Sequence, residues 1–169
     1  MLTRTSFVVC LLCWIAHSDI VRAQFDDDRN KQSFSSIYLH SVLNSQKGDR
    51  TILRDSSGRT QGSATQSGSR ISIRDSSGRT IGSAETSGNK TTFRDASGRT
   101  IQTATKSGDR TTFRSSTGSS LGTASQSRNN TTFRDASGRS TGSASSSGTR
   151  TNFRDSSGRS SGSASSNRR

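Results

Sequence analysis

The sequence predicts an all-β fold, a repetitive antiparallel β-meander built from six 20-residue strand–turn–strand units. Three observations carry the prediction. The spacing of twenty holds from Arg50 onward without insertion or deletion, so that Arg50, Arg70, Lys90, Arg110, Asn130 and Arg150 open successive units. Within it the decapeptide TTFRDASGRT (91–100) returns almost unchanged as TTFRDASGRS (131–140). A glycine then recurs where each unit needs a turn, at Gly58, Gly78, Gly98, Gly118, Gly138 and Gly158.

The chain before the repeats reads differently. Arg4, the apolar run Phe7–Ala16 and Val21-Arg22-Ala23 form the three-part pattern of a secretory signal peptide, with cleavage expected after Ala23. The run is too short to span a bilayer. Both cysteines, Cys10 and Cys13, fall inside this leader, so the mature chain is expected to carry no disulfide, thiol nucleophile or cysteine-held metal. Removal of residues 1–23 leaves 23 basic and 11 acidic residues, a net charge of +12. Residues 24–48 form an N-terminal segment. Phe34, Ile37, Tyr38 and Val42 lie at helical spacing, which predicts a short helix over 33–44 that caps the first strand's edge, an export or assembly tag being the alternative. Residues 49–169 form the repeat domain.

One unit explains the rest. Asp95-Ala96-Ser97-Gly98 carries aspartate first and glycine fourth, as a type I turn prefers. With Gly98 left-handed it closes a three-residue hairpin loop, placing Asp95 opposite Arg99, Arg94 opposite Thr100, Phe93 opposite Ile101 and Thr91 opposite Thr103. Reading Thr105-Lys106-Ser107-Gly108 as a second turn of the same kind places Ile101 opposite Phe113. One apolar row then runs through Phe93, Ile101, Phe113, Leu121 and Phe133. A β-solenoid, with one unit per coil, is the alternative. It would stack Arg54 to Arg154 about 4.8 Å apart, which like charges resist, so the meander is preferred. The last unit has Ser161 where the second, third and fourth units carry Ile81, Ile101 and Leu121, and its end is expected to fray.

The apolar share is thin, with hydrophobic residues at 24%, a mean hydropathy of −0.81 and no proline. A flat sheet would leave its apolar row in water. The sheet is therefore expected to curl on itself, to pair with a second copy through that face, or to order on a surface.

The Asp95-x-x-Gly98-Arg99 turn, with copies at Asp55, Asp75, Asp135 and Asp155, resembles the YD/Rhs-type repeats of secreted bacterial proteins, which share its length and turn. Those repeats place tyrosine before the aspartate, where this chain has arginine. The wider pattern of a secreted short-period β-repeat is similar to curli-type fibre subunits, without their glutamine and asparagine ladders. Both resemblances imply a secreted β-repeat.

Chemistry is sparse. His40 is the sole histidine after the leader, and Asp26-Asp27-Asp28 reads as a solvated acidic run. The Asp-x-x-Gly turns lack the further carboxylates of a calcium loop. No catalytic residue, metal site or cofactor is expected, and the chain reads as a non-enzyme. The surface feature with functional promise is the basic row Arg54, Arg74, Arg94, Arg114, Arg134 and Arg154, on the face opposite the apolar row. It suits a polyanionic partner such as lipopolysaccharide, a glycan or nucleic acid, without the aromatics that sequence-specific recognition would need. A threonine row through Thr91, Thr103 and Thr111 also raises ice binding. The reading that follows is a secreted structural or adhesin-like protein of the cell surface or matrix that self-associates through its apolar face. The alternative is a soluble polyanion-binding module using the arginine row.

Overall fold

A computed structural model describes residues 50–167, and among them all regular structure is strand. The strands alternate short and long: β1 (Arg50–Arg54), β2 (Thr60–Ser67), β3 (Arg70–Asp75), β4 (Thr80–Ser87), β5 (Lys90–Asp95) and β6 (Thr100–Ser107), followed by β7 (Arg110–Ser115), β8 (Ser120–Ser127), β9 (Asn130–Asp135), β10 (Ser140–Ser147), β11 (Arg150–Asp155) and β12 (Ser160–Asn167). Each pairs antiparallel with its sequence neighbours. β12 also pairs with β1, from Arg50↔Asn167 to Arg54↔Ser163, and closes a twelve-stranded barrel. The meander is confirmed and the solenoid is not. Of the three ways to cover the apolar row, the sheet takes the first and curls on itself.

The C-terminal unit does not fray. Its strand β12 seals the barrel and covers the edge of β1, the role the sequence assigned to a helix over 33–44. That helix and the leader (1–23) lie outside the described residues.

The two kinds of turn lie at opposite ends of the barrel. At one end, Gly98 N donates to Asp95 O (3.0 Å) and Asp95 N to Arg99 O (2.9 Å), with Gly98 at φ 85°. This is the three-residue loop the sequence predicts, and Arg94 faces Thr100 as expected. Past Thr100 the register departs from the expectation. A bulge sets Phe93 opposite Gln102 and Thr91 opposite Ala104, so Ile101 becomes the extra residue.

At the other end the expected four-residue turn 105–108 is a two-residue loop. Ser107 pairs with Arg110, and Gly108 occupies the first central position at φ 56°, where a type II′ hairpin demands glycine. Phe113 therefore faces Ala104, not Ile101. Arg128 stands where the equivalent loops have Gly68, Gly88, Gly108 and Gly148, and it is held at φ 52°. A side chain is strained there. The variant Arg128→Gly is expected to raise stability by about 1 kcal/mol, read as a higher midpoint in urea unfolding.

The corrected register explains the recurring small residues. On one side each large core residue faces alanine: Leu53/Ala164, Ile73/Ala64, Phe93/Ala84, Phe113/Ala104, Phe133/Ala124 and Phe153/Ala144. On the other side it faces a glycine, or Gln102 in the case of Phe93. Alternation of large and small lets a ring of bulky side chains fill the lumen without collision. Phe93 and Ile73 are fully buried, whereas Ile101 and Leu121 pack against this cluster only in part.

One cross-strand pair breaks the rule on both of its strands at once. Gly62, Gly82, Gly122 and Gly142 each face an aspartate (Asp75, Asp95, Asp135, Asp155) across the ladder. In the remaining pair of this kind Gln102 faces Ser115. A Cβ built on Gly122 would strike the backbone carbonyl of Arg134 beside Asp135. Where the smaller serine replaces aspartate, the larger glutamine is accommodated.

Candidate functional site

The outward face carries Thr, Ser and Arg. Pairs such as Thr92/Thr103 and Thr112/Thr123 lie along it, and each collar arginine sits between two small hydroxyl residues, as Arg94 does between Ser83 and Thr100. With apolar residues in the lumen and polar ones outside, this is the reverse of a membrane-spanning barrel. No helix among the described residues is long and apolar enough to cross a membrane. Thr103 faces outward whereas Thr91 is buried in the lumen, so the expected threonine row does not exist. The ice-binding reading falls with it.

Arg54, Arg74, Arg94, Arg114, Arg134 and Arg154 recur on alternate strands, about 9–10 Å apart around the barrel. All are exposed except half-buried Arg94. Each is tied to the glycine of its own turn. Nη1 donates to Gly58 O (3.0 Å), Gly78 O (3.0 Å), Gly98 O (3.2 Å), Gly118 O (3.0 Å), Gly138 O (2.9 Å) and Gly158 O (2.7 Å). One donor of the guanidinium thus holds the loop and fixes the group's position, while a planar fork of further donors remains on the same side chain.

The turn is held from the other side by its aspartate. Asp75 Oδ1 accepts from the backbone N of Ser77 and of Arg79, both at 2.9 Å, and from Ser77 Oγ at 2.7 Å. Asp95, Asp135 and Asp155 repeat the pattern. In Asp55 the Ser57 and Arg59 amides are joined by Gln61 Nε2, which donates to Oδ2 at 2.9 Å. Ser115 substitutes in the fourth unit, its Oγ accepting from Ser119 N at 3.1 Å. The serine hydroxyl bond is the largest influence on Asp75, Asp95 and Asp155, and it and the backbone donors hold these carboxyls below the usual value. For Asp55 and Asp135 desolvation is the largest single influence and acts upward, but the summed hydrogen bonds outweigh it, and both carboxyls also end below the usual value.

Those depressed values make the turns acid-sensitive. Their contribution to stability is complete above the ordinary aspartate value of about 4 and is lost as pH falls through the lower folded values. Thermal melts are expected to be flat from neutrality down to about pH 5 and to fall steeply below about pH 4. The variant Asp95→Asn should remove part of that acid slope.

The sequence anticipated the arginine row and the six turn glycines from Gly58 to Gly158. It did not reveal that the two are bonded to each other. Nor did it single out the second set of cations, Arg59, Arg79, Arg99, Arg139 and Arg159, which are exposed at the tips of the same loops. The signal was present as the last letter of each Asp-x-x-Gly-Arg turn. The ion pair Arg99 Nε–Asp95 Oδ2 at 3.4 Å is a solvent-exposed contact that leaves Arg99 78% exposed, and it contributes little. Together the two sets bring eleven arginines and five aspartates to one end of the barrel. Among the described residues no group of three His, Cys, Asp or Glu side chains is placed to hold a metal.

No family model matches this chain, and no curated protein does. Among solved structures, the X-ray structure of a protein from Arabidopsis thaliana is similar in fold, with a TM-score of 0.51 at 13% identity, covering 69% of this chain and 78% of that one.

Proposed function

We propose that the protein is a secreted, non-catalytic β-barrel module that holds polyanionic polymers or surfaces through its arginine collar, in an adhesin-like role at the cell surface or in the matrix. The observation that carries this is the concentration of eleven arginines at one end, six of them fixed in place by the glycine carbonyls of their turns. Pre-positioned guanidinium groups lose less freedom on meeting phosphate, sulfate or carboxylate, and bind them in a bidentate manner. The aspartates among them are engaged by their own loop amides, which supports binding rather than acid–base chemistry. Secretion rests on the leader pattern of residues 1–23.

The fibre-forming version of this role has less support. The sequence points to self-association through the apolar row, but Phe93, Phe113, Phe133 and Phe153 are buried in the lumen. Closure by β12 also removes the open edges on which strands of another copy would add.

The test uses the tip arginines, because they do not hold the turns. A variant with Arg59, Arg79, Arg99, Arg139 and Arg159 all changed to glutamine is expected to keep the β-type circular dichroism. Its affinity for heparin and for double-stranded DNA should drop, and the slope of log affinity against log salt should shrink by roughly one unit for each phosphate it no longer neutralises. Salt-insensitive binding, or a variant that binds as well as the parent, refutes the proposal.

A further inference from the structure

The opposite end of the barrel, where the two-residue loops lie, holds a cavity of about 420 Å³ that the arginine collar does not reach. Its size lies within the range of small-molecule sites. The walls are threonine: Thr86, Thr91, Thr111 and Thr131 line it, and the methyl groups of Ala104 and Ala124 are in its lining. Thr86 Oγ1 lies 2.9 Å from Thr91 Oγ1, which shows that residues at both of these strand positions turn into the lumen. The same register pairs Lys106 with Thr111 and Gln126 with Thr131. At the rim, Asn89 and Asp109 stand at equivalent positions in successive loops. Asn89 Nδ2 donates to the Lys106 carbonyl at 3.2 Å, fixing the Asn89 side chain against the neighbouring strand.

The lining does not follow the repeat. The positions equivalent to Lys106 are Gln66, Thr86, Gln126, Ser146 and Ser166, and those equivalent to Asp109 are Ser69, Asn89, Asn129 and Thr149. At the collar end, by contrast, every unit keeps its arginine and turn glycine. The polar groups that meet this lumen and its rim therefore differ from unit to unit, while the arginine and turn glycine at the other end do not. In repeat architectures the face on which units depart from one another is often the one that binds.

The chemistry of the lining narrows the ligand. Lys106 and Asp109 are its two charged members and are of opposite sign, so the site has no net charge and does not select for a net ionic ligand. Threonine hydroxyls and the amides of Asn89 and Gln126 both donate and accept, which matches a molecule rich in hydroxyls that do the same. Lys106 supplies donors and Asp109 acceptors for such hydroxyls. The alanine methyls suit the C–H face of a sugar ring. We infer that this mouth of the barrel binds a neutral saccharide of one or two rings, at a site separate from the arginine collar.

The experiment is a titration of the mature, full-length protein with cellobiose, maltose and lactose, followed by amide chemical shifts and by calorimetry. At least one disaccharide is expected to give saturable shifts confined to strands β4–β9 at the loop end carrying Asn89 and Asp109. The variant Ala124→Leu, which fills the floor, should abolish them. As a second variant at the exposed rim, where folding is not at stake, Asp109→Ala should weaken binding by about tenfold, the value of a hydrogen bond to a charged group. Absence of saturable binding by all three sugars up to tens of millimolar overturns the inference. So does binding that both variants leave unchanged, or binding competed away by heparin, which would place the sugar on the collar instead.

Discussion

Replacing Phe93 with alanine is expected to cost the barrel about 3–5 kcal/mol, the range for a fully buried aromatic. The side chain is 0% exposed, and its strand neighbours Ala84 and Gln102 are fixed by ladders on both sides. A closed barrel has no edge strand that can slide inward to fill the hole, so the cavity term applies nearly in full. Against a total stability of about 5–15 kcal/mol, one such change removes much of the margin. Changing Phe93, Phe113 and Phe133 together should leave no cooperative unfolding transition by circular dichroism. The informative control is Ile101→Ala. Ile101 lies in the bulge and is only partly buried, so it should cost well under half as much as Phe93→Ala. Equal losses at Phe93 and Ile101 would instead support a register in which the two face each other, and would contradict the observed pairing.

That comparison marks the limit of what the residues alone revealed. The Asp95–Arg99 loop was legible because its determinants are local: one aspartate that accepts amides, one glycine at positive φ, and an arginine opposite. The strand beyond it was not, because a single extra residue at Ile101 shifts the side-chain alternation. Nothing local forces that bulge. It accompanies the strong twist needed to wrap a sheet into a ring. The second turn failed for a different reason. A glycine at positive φ serves equally as the last residue of a type I loop or the first of a type II′ loop, so Ser107-Gly108-Asp109 permits both. The two errors compensate, which kept Phe93 and Phe113 on the same face while misplacing the residue between them. The arginine row survived because Arg94 is adjacent to the legible loop. Its bond to Gly98 did not follow from spacing, since it depends on where the guanidinium reaches.

The last unit shows the same logic, and it carries the strongest test of closure. Ser161 looks in the sequence like a missing core residue, yet its position corresponds to the bulge residue Ile101 and not to the ring of large side chains. The groups the core needs from this unit, Phe153 and Ala164, are both present and buried. Removing residues 160–169 is therefore expected to be far more damaging than serine-rich composition suggests. The deletion strips β12 from β1 and from β11, five residue pairs on each side. It leaves two unpaired edges and opens the lumen beside Leu53 and Phe153 to water. The truncated chain should lose its cooperative melt, and because the exposed edges of β1 and β11 are complementary to those of another copy, it should associate as concentration rises. A synthetic peptide of residues 158–169 added in trans should restore a monomer on size-exclusion chromatography, whereas deleting only residues 168–169 should change nothing. A monomeric truncation product that melts within a few degrees of the parent would mean that β12 is dispensable, and that the barrel is not closed in solution.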